Sequence, residues 1–352
     1  MLFYLLILAG ICLYRLKVAD NQSSYMFPDQ TTSVKGIFVA IILLSHMRQY
    51  IAPSLPMDDV ALKILNKIGQ LMVTLFFFYS GYGVLSSVGK KENYGKTFFR
   101  NRLCKTWLHF AIAVSCYLVL SLILGTQYGA QDYLLCWTGW TSLGNSNWFI
   151  FVMLALYVIT WLGLKLTQGL PRGKAQLAIA IGVTVLSIIL RQLLRVAGKE
   201  SYWYNTLLCY AAGMWFFLGK PLFDKLLGKW YLRIGMWFAC LTAFYLLHRV
   251  PVFMGYDLYA CVFCLLVILV TTNVRIDNAA LRWLGKHTFT IYIFQRIPMI
   301  VLKRVGLSSH NVLFMVLSVV FTLGLATLFD TFYKKLDVLF RDRPANIVKS
   351  DC

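Results

Sequence analysis

"VKGIFVAIILLSHMRQY", residues 34–50, decides how this chain is read. A lysine opens an apolar run, and a histidine and an arginine lie toward its end. Each residue of an α-helix turns by about 100° and rises about 1.5 Å, so the step from Lys35 to His46 gives about three turns plus 20°. Both side chains then fall on one face, about 16 Å apart along the axis. A hydrocarbon core is about 30 Å thick, which places Lys35 at one boundary and His46 just past the middle. Ionisable groups at that depth are costly, and they face a bundle interior or a wet cavity. Two readings are open. In one, the lysine snorkels and the histidine bonds a neighbouring helix. In the other, Lys35 and His46 form a catalytic pair, the cation holding a charged head while the neutral imidazole serves as general base. No Asp or Glu lies within residues 30–57, so any group that orients His46 must come from another helix.

Composition carries this reading across the whole chain. Of 352 residues, 59% are hydrophobic and 14% charged, where a soluble domain has about 25% charged. Mean hydropathy is +0.67. An all-α, polytopic membrane helix bundle is expected. The net charge of +20 would suggest nucleic acid in a soluble protein. Here the basic residues separate apolar runs, so membrane orientation explains them and no nucleic-acid partner is expected. Nine cysteines are scattered, and the one short spacing, Cys261 and Cys264, lies inside a helix without a nearby histidine. His109, His248, His287 and His310 are isolated, and no metal site is expected.

Eleven apolar runs are long enough to be candidate spans: 2–18, 35–51, 67–88, 104–125, 147–166, 175–195, 204–219, 231–248, 255–272, 283–302 and 311–330. The first lacks a basic leader and a cleavage site and reads as an uncleaved anchor. One integral-membrane domain is expected over 1–352, with residues 1–20 as an added anchor and 331–352 as a tail. Lys and Arg divide 24 to 10 between alternate sides. That asymmetry puts the amino terminus outside and the carboxyl terminus in the cytoplasm. The loop 126–146 has no Lys or Arg and is expected outside, as a surface lid.

Several polar groups need a reason at membrane depth. "LFFFYSGYGVLSS" (75–87) carries Ser80 and Tyr82 among glycines that permit close helix packing. "KTFFRNRLCKTW" (96–107) gathers Arg100, Arg102 and Lys105, suited to phosphate or simply to anchoring. Asn147 and Trp148 open a helix at the outer mouth. Tyr292 and Gln295 sit in a late helix, Gln295 at a depth close to that of His46.

Residues 35–105 resemble the acyltransferase-3 family of bacterial membrane acyltransferases, which includes O-acetyltransferases of envelope glycans. The family's Arg-x10-His motif is met by Lys35-x10-His46. Its Phe-Phe and Ser-Gly signature is met by Phe77-Phe78-Tyr79-Ser80-Gly81, and its Arg-x-x-Arg by Arg102 and Lys105. Weaker echoes are "NWFIFVMLALY" and "WLGKHTFTIYIFQ", the latter with Thr288 for Ser and Gln295 where the family often has His. Lys35 and Lys105 replace arginines and so forgo bidentate phosphate contacts. A proline common after the basic motif is absent near Trp107, and the first span precedes a family core of ten.

The resemblance implies a membrane-bound O-acyltransferase of the bacterial inner membrane. Its donor would be acetyl-CoA or another acyl-CoA, with no permanently bound cofactor. Its acceptor would be a hydroxyl on an envelope glycan or lipid-linked sugar. Arg100, Arg102, Lys105 and Lys35 would hold the donor phosphates and His46 would take the acceptor's proton. Ser80, Tyr82, Asn147, Trp148, Tyr292 and Gln295 would contact the oxyanion or acceptor. The alternatives are a sugar or lipid transporter or flippase, and a non-catalytic membrane protein on the same scaffold.

Overall fold

A computed structural model describes residues 1–19, 25–52, 56–88, 90, 94–249 and 254–340. The expectations for Lys91, Arg341, Arg343, Lys349 and the tail beyond residue 340 lie outside these residues. The chain is 82% helical with almost no strand. Most backbone polar groups are thus satisfied within their own helix, as a bilayer demands.

The first elements are α1 (Leu2–Leu13), a short strand β1 (Leu16–Val18), α2 (Pro28–Met47), α3 (Pro56–Ile68) and α4 (Thr74–Ser87). Next come α5 (Tyr94–Phe98), α6 (Lys105–Ile123), α7 (Ala130–Leu135), α8 (Trp148–Leu166), α9 (Arg172–Val196), α10 (Leu208–Leu227) and α11 (Trp230–Arg249). The chain closes with α12 (Gly255–Asn273), β2 (Val274–Ile276), α13 (Ala279–Lys286), α14 (Thr288–Phe294), α15 (Arg296–Arg304) and α16 (Asn311–Leu336).

Among the described residues, eight helices are long and apolar enough to cross a membrane, or nine spans if the pair Asp58–Ile68 and Leu71–Ser87, bent by 48°, counts as one. Eleven spans are therefore not confirmed, and two local causes account for the difference. The expected first span, 2–18, is helical over only 12 residues, about 18 Å of rise. Arg15 takes a positive φ of 57°, a conformation that ends helices. Leu16–Val18 then pairs antiparallel with Val274–Ile276. The expected span 283–302 is broken into pieces. Pro298 has no N–H to continue the ladder, and beside the break the Ile293 carbonyl accepts from Tyr117 Oη at 2.8 Å. This break leaves Tyr292 and Arg296 facing the bundle interior. The run 204–219 belongs to a longer helix, α10, with Pro221 inside it.

Glycines set the closest helix approaches. A Cβ at Gly81 on α4 would overlap the carbonyl oxygen of Tyr210 on α10, and one at Gly213 would overlap that of Phe78. The same reciprocal relation joins α2 to α13. There Gly36 faces the Leu281 carbonyl and Gly285 faces that of Thr32. Small residues at such crossings let backbones meet where lipid offers no hydrophobic drive. The α2–α13 contact fixes the helix that carries Lys35 and His46. The α4–α10 contact fixes the helix that carries Ser80. Arg191 near the end of α9 meets the fully buried Asp257 in the first turn of α12 at 2.8 Å.

Candidate functional site

His46 lies one residue before the end of α2 and lines a cavity of about 510 Å³. Its partner is remote in sequence. Arg296, the first residue of α15, places Nη2 3.0 Å from His46 Nδ1. The same guanidinium reaches Gln49 Oε1 at 2.9 Å through Nη2 and Ser146 Oγ at 3.1 Å through Nε. Ser146 Oγ lies 3.5 Å from His46 Nε2. A guanidinium only donates, so Nδ1 must be the accepting nitrogen, which makes the imidazole neutral with its proton on Nε2. The orienting group that α2 lacks is therefore an arginine and a serine, and no carboxylate takes part among the described residues.

A wall of this cavity comes from the loop expected as a surface lid. Ser142, Asn145 and Ser146 of that loop line it, as does Asn147 at the start of α8. The loop is held by its own side chains. Asn145 Oδ1 accepts from the Leu143 N–H at 3.0 Å, and Asn147 Nδ2 donates to the Gly139 carbonyl at 2.7 Å. Trp148 completes the wall and meets Tyr202 edge to face, with ring centroids 5.6 Å apart. Outside the helices, Lys199 Nζ donates to the Trp140 carbonyl at 2.9 Å and lies 3.8 Å from the Trp140 ring centre. Burial against these rings lowers the Lys199 pKa from its ordinary value.

A second cavity, about 360 Å³, is lined by Lys35, Tyr79, Ser80, Arg102, Thr106 and Tyr157 among others. Lys35 and Arg102 are its charged groups, and neither has a carboxylate partner among the described residues. A π-helical turn over Phe99–Cys104 leads into α6 and carries Arg102 to the cavity. Such turns insert an extra residue and are frequent at functional sites. Ser80 Oγ and Tyr157 Oη lie 3.3 Å apart on its wall.

Tyr292 lines both cavities. It stands edge to face with Phe149, ring centroids 5.4 Å apart, and is 4% exposed. Its hydroxyl makes no well-formed hydrogen bond among the described residues. The Lys35 chamber and the His46 chamber thus meet at one phenol.

The other expected site residues are placed differently. Lys105 Nζ is bound to Asp337 at 2.6 Å, and the same carboxylate meets His109 Nε2 at 3.0 Å. Lys105 therefore ties α6 to the end of α16 and does not line the chamber. Arg100 is exposed, its Nε 3.4 Å from Asn101 Oδ1. Tyr82 packs on Phe216 and Phe217, outside both cavities. Gln295 is fully buried and donates to the Tyr292 carbonyl at 3.0 Å, bracing the helix break without lining either cavity. Sequence reasoning gave Arg296, Arg48 and Ser146 no role. A signal was present, since an arginine ten residues beyond Lys286 in an apolar run is a functional candidate by default.

Fold and site together define a polytopic helical membrane protein with two chambers that share Tyr292, one lined by Lys35 and Arg102 and one by His46, Arg48 and Arg296. Residues 32–331 match the family model described as the acyltransferase domain of family 3, and the chain belongs to that family. No curated protein and no solved structure matches the chain. A membrane acyltransferase is the class of activity that membership supports.

Proposed function

We propose that this protein moves an acyl group, acetyl in the simplest case, from acyl-CoA to a hydroxyl of an envelope glycan or lipid-linked sugar. The carrying observation is that the Lys35–Arg102 chamber and the His46 chamber share Tyr292 as a common wall. Donor phosphates suit the basic chamber, because neither of its cations has a counter-ion among the described residues and arginine contacts phosphate bidentately. The acceptor enters from the other side, against His46, Asn147 and Trp148. The bundle sits in the bacterial inner membrane with the amino terminus outside, so the donor arrives from the cytoplasm. Positive-inside charge supports this orientation.

In the reaction, the acceptor oxygen forms a bond to the thioester carbonyl carbon while its proton passes to His46. The carbon–sulfur bond breaks, and sulfur leaves as a thiolate that takes the proton. The products are an ester and a free CoA thiol. Tyr292 donates to the oxygen that becomes negative, and its place between the chambers supports that role. The test is acyl transfer by the purified protein in nanodiscs with labelled acetyl-CoA, paired with mass spectrometry of envelope glycans from cells with and without the protein. An added acetyl mass that depends on the protein is expected. Substrate flux across vesicles with no donor present, and no acyl transfer, would instead mark a transporter.

A further inference from the structure

We infer that the acceptor carries a negatively charged group, a carboxylate or phosphate, beside the hydroxyl that is acylated, and that Arg48 and Arg296 bind it. The inference rests on reading the His46 chamber as the acceptor side. Among the described residues, the charged side chains lining that chamber besides His46 are these two arginines, and no Asp or Glu lines it. Among the described residues the Arg296 guanidinium has neutral partners: His46, Gln49 and Ser146. Arg48 Nε is buried with no hydrogen-bond partner among the described residues. A cation partly withdrawn from water, with no counter-ion among the described residues, is costly, and an anionic ligand relieves that cost. The remaining polar lining is amide-rich, with Asn66 and Gln70 beside the Trp148 and Tyr202 rings, a lining that suits a sugar ring bearing hydroxyls.

The state of His46 points the same way. Arg296 covers the one lone pair of a neutral imidazole, and a covered lone pair takes no proton. An acceptor carboxylate or phosphate offers the guanidinium an opposite charge and a bidentate contact, which the single neutral Nδ1 does not. Its arrival draws Nη2 from Nδ1 and frees the base. A neutral acceptor leaves the cover in place. Anion recognition and base release are then one event.

The experiment uses the full chain in nanodiscs and measures binding by thermal stabilisation with three probes: methyl β-D-glucuronide, sn-glycerol 1-phosphate and methyl β-D-glucoside. At least one anion should bind about tenfold or more tightly than the glucoside, as charge-assisted contacts predict. Which anion binds more tightly separates carboxylate from phosphate. The preference should collapse in Arg48→Gln and survive in part in Arg48→Lys. In the unaltered protein, raising NaCl from about 0.05 to about 0.5 M should weaken the anion and leave the glucoside unmoved. Equal binding of all three probes, no binding of any, or a preference that outlives both Arg48→Gln and Arg296→Gln would overturn the inference. The salt series decides the matter if the variants do not fold. Loss of this inference leaves the acyltransfer reading intact when His46→Ala abolishes transfer; transfer that persists in His46→Ala removes the reading itself.

Discussion

The guanidinium of Arg296 lies 3.0 Å from Nδ1 of His46, although 250 positions separate them in the chain. A helix break places the arginine there. Pro298 interrupts the ladder, α14 stops at Phe294, and α15 restarts with Arg296 turned toward the end of α2. The expected lone base of α2 is thus part of a unit made from three segments: the helix, the loop before α8 and the broken helix.

His46→Ala should lower acyl transfer by roughly 10²–10⁴-fold, the usual worth of a positioned general base. Insertion and thermal stability should stay close to those of the parent, because the side chain faces a cavity and not a packed seam. Single-turnover transfer from labelled acetyl-CoA, read beside a melting curve, checks both. A rate within about twofold of the parent would exclude the base role.

Arg102 and Lys105 should separate. Arg102 lines the basic chamber, so Arg102→Gln is expected to raise the donor KM by about tenfold or more, as loss of a charge-assisted phosphate contact does. Lys105 is bound to Asp337, so Lys105→Ala should leave the donor KM within about twofold, a partly exposed ion pair being worth little. Initial rates against donor concentration, at fixed acceptor, decide between this split and a single continuous Arg-x-x-Lys site.

Tyr292→Phe tests the phenol between the chambers. The ring and its contact with Phe149 remain while the hydroxyl goes. With a role as oxyanion donor, kcat should fall by about 10²-fold with both KM values near the parent's, since the interaction develops only in the transition state. A rise in KM with unchanged kcat would make Tyr292 a wall and nothing more.

Glycine substitutions probe the seams. Gly81→Ala and Gly213→Ala push a methyl group into facing backbone and should each destabilise by about 1–3 kcal/mol, as overpacking does. Gly182→Ala, in α9, has open space around the new carbon and should be neutral or stabilising by up to about 1 kcal/mol. Unfolding in a mild detergent, followed by circular dichroism, gives the comparison. A loss at Gly182 equal to that at Gly81 would show that the close backbone approach is not what makes Gly81 necessary.

Much of the architecture was legible in the chain itself. Apolar run length and the scarcity of acidic residues define a helical bundle, because an unsatisfied backbone cannot cross lipid. The 11-residue spacing of Lys35 and His46 puts both on one face through helix geometry alone. Tertiary structure decided what that face meets. Whether an arginine lines a cavity or anchors a boundary depends on breaks, bends and neighbouring helices, which run length does not encode. Arg296 therefore came to His46, Lys105 went to Asp337, and Gln295 turned inward to brace the break. The physical reason is range: periodicity is a property of one helix, whereas a site is a property of side chains that become neighbours only after helices have packed.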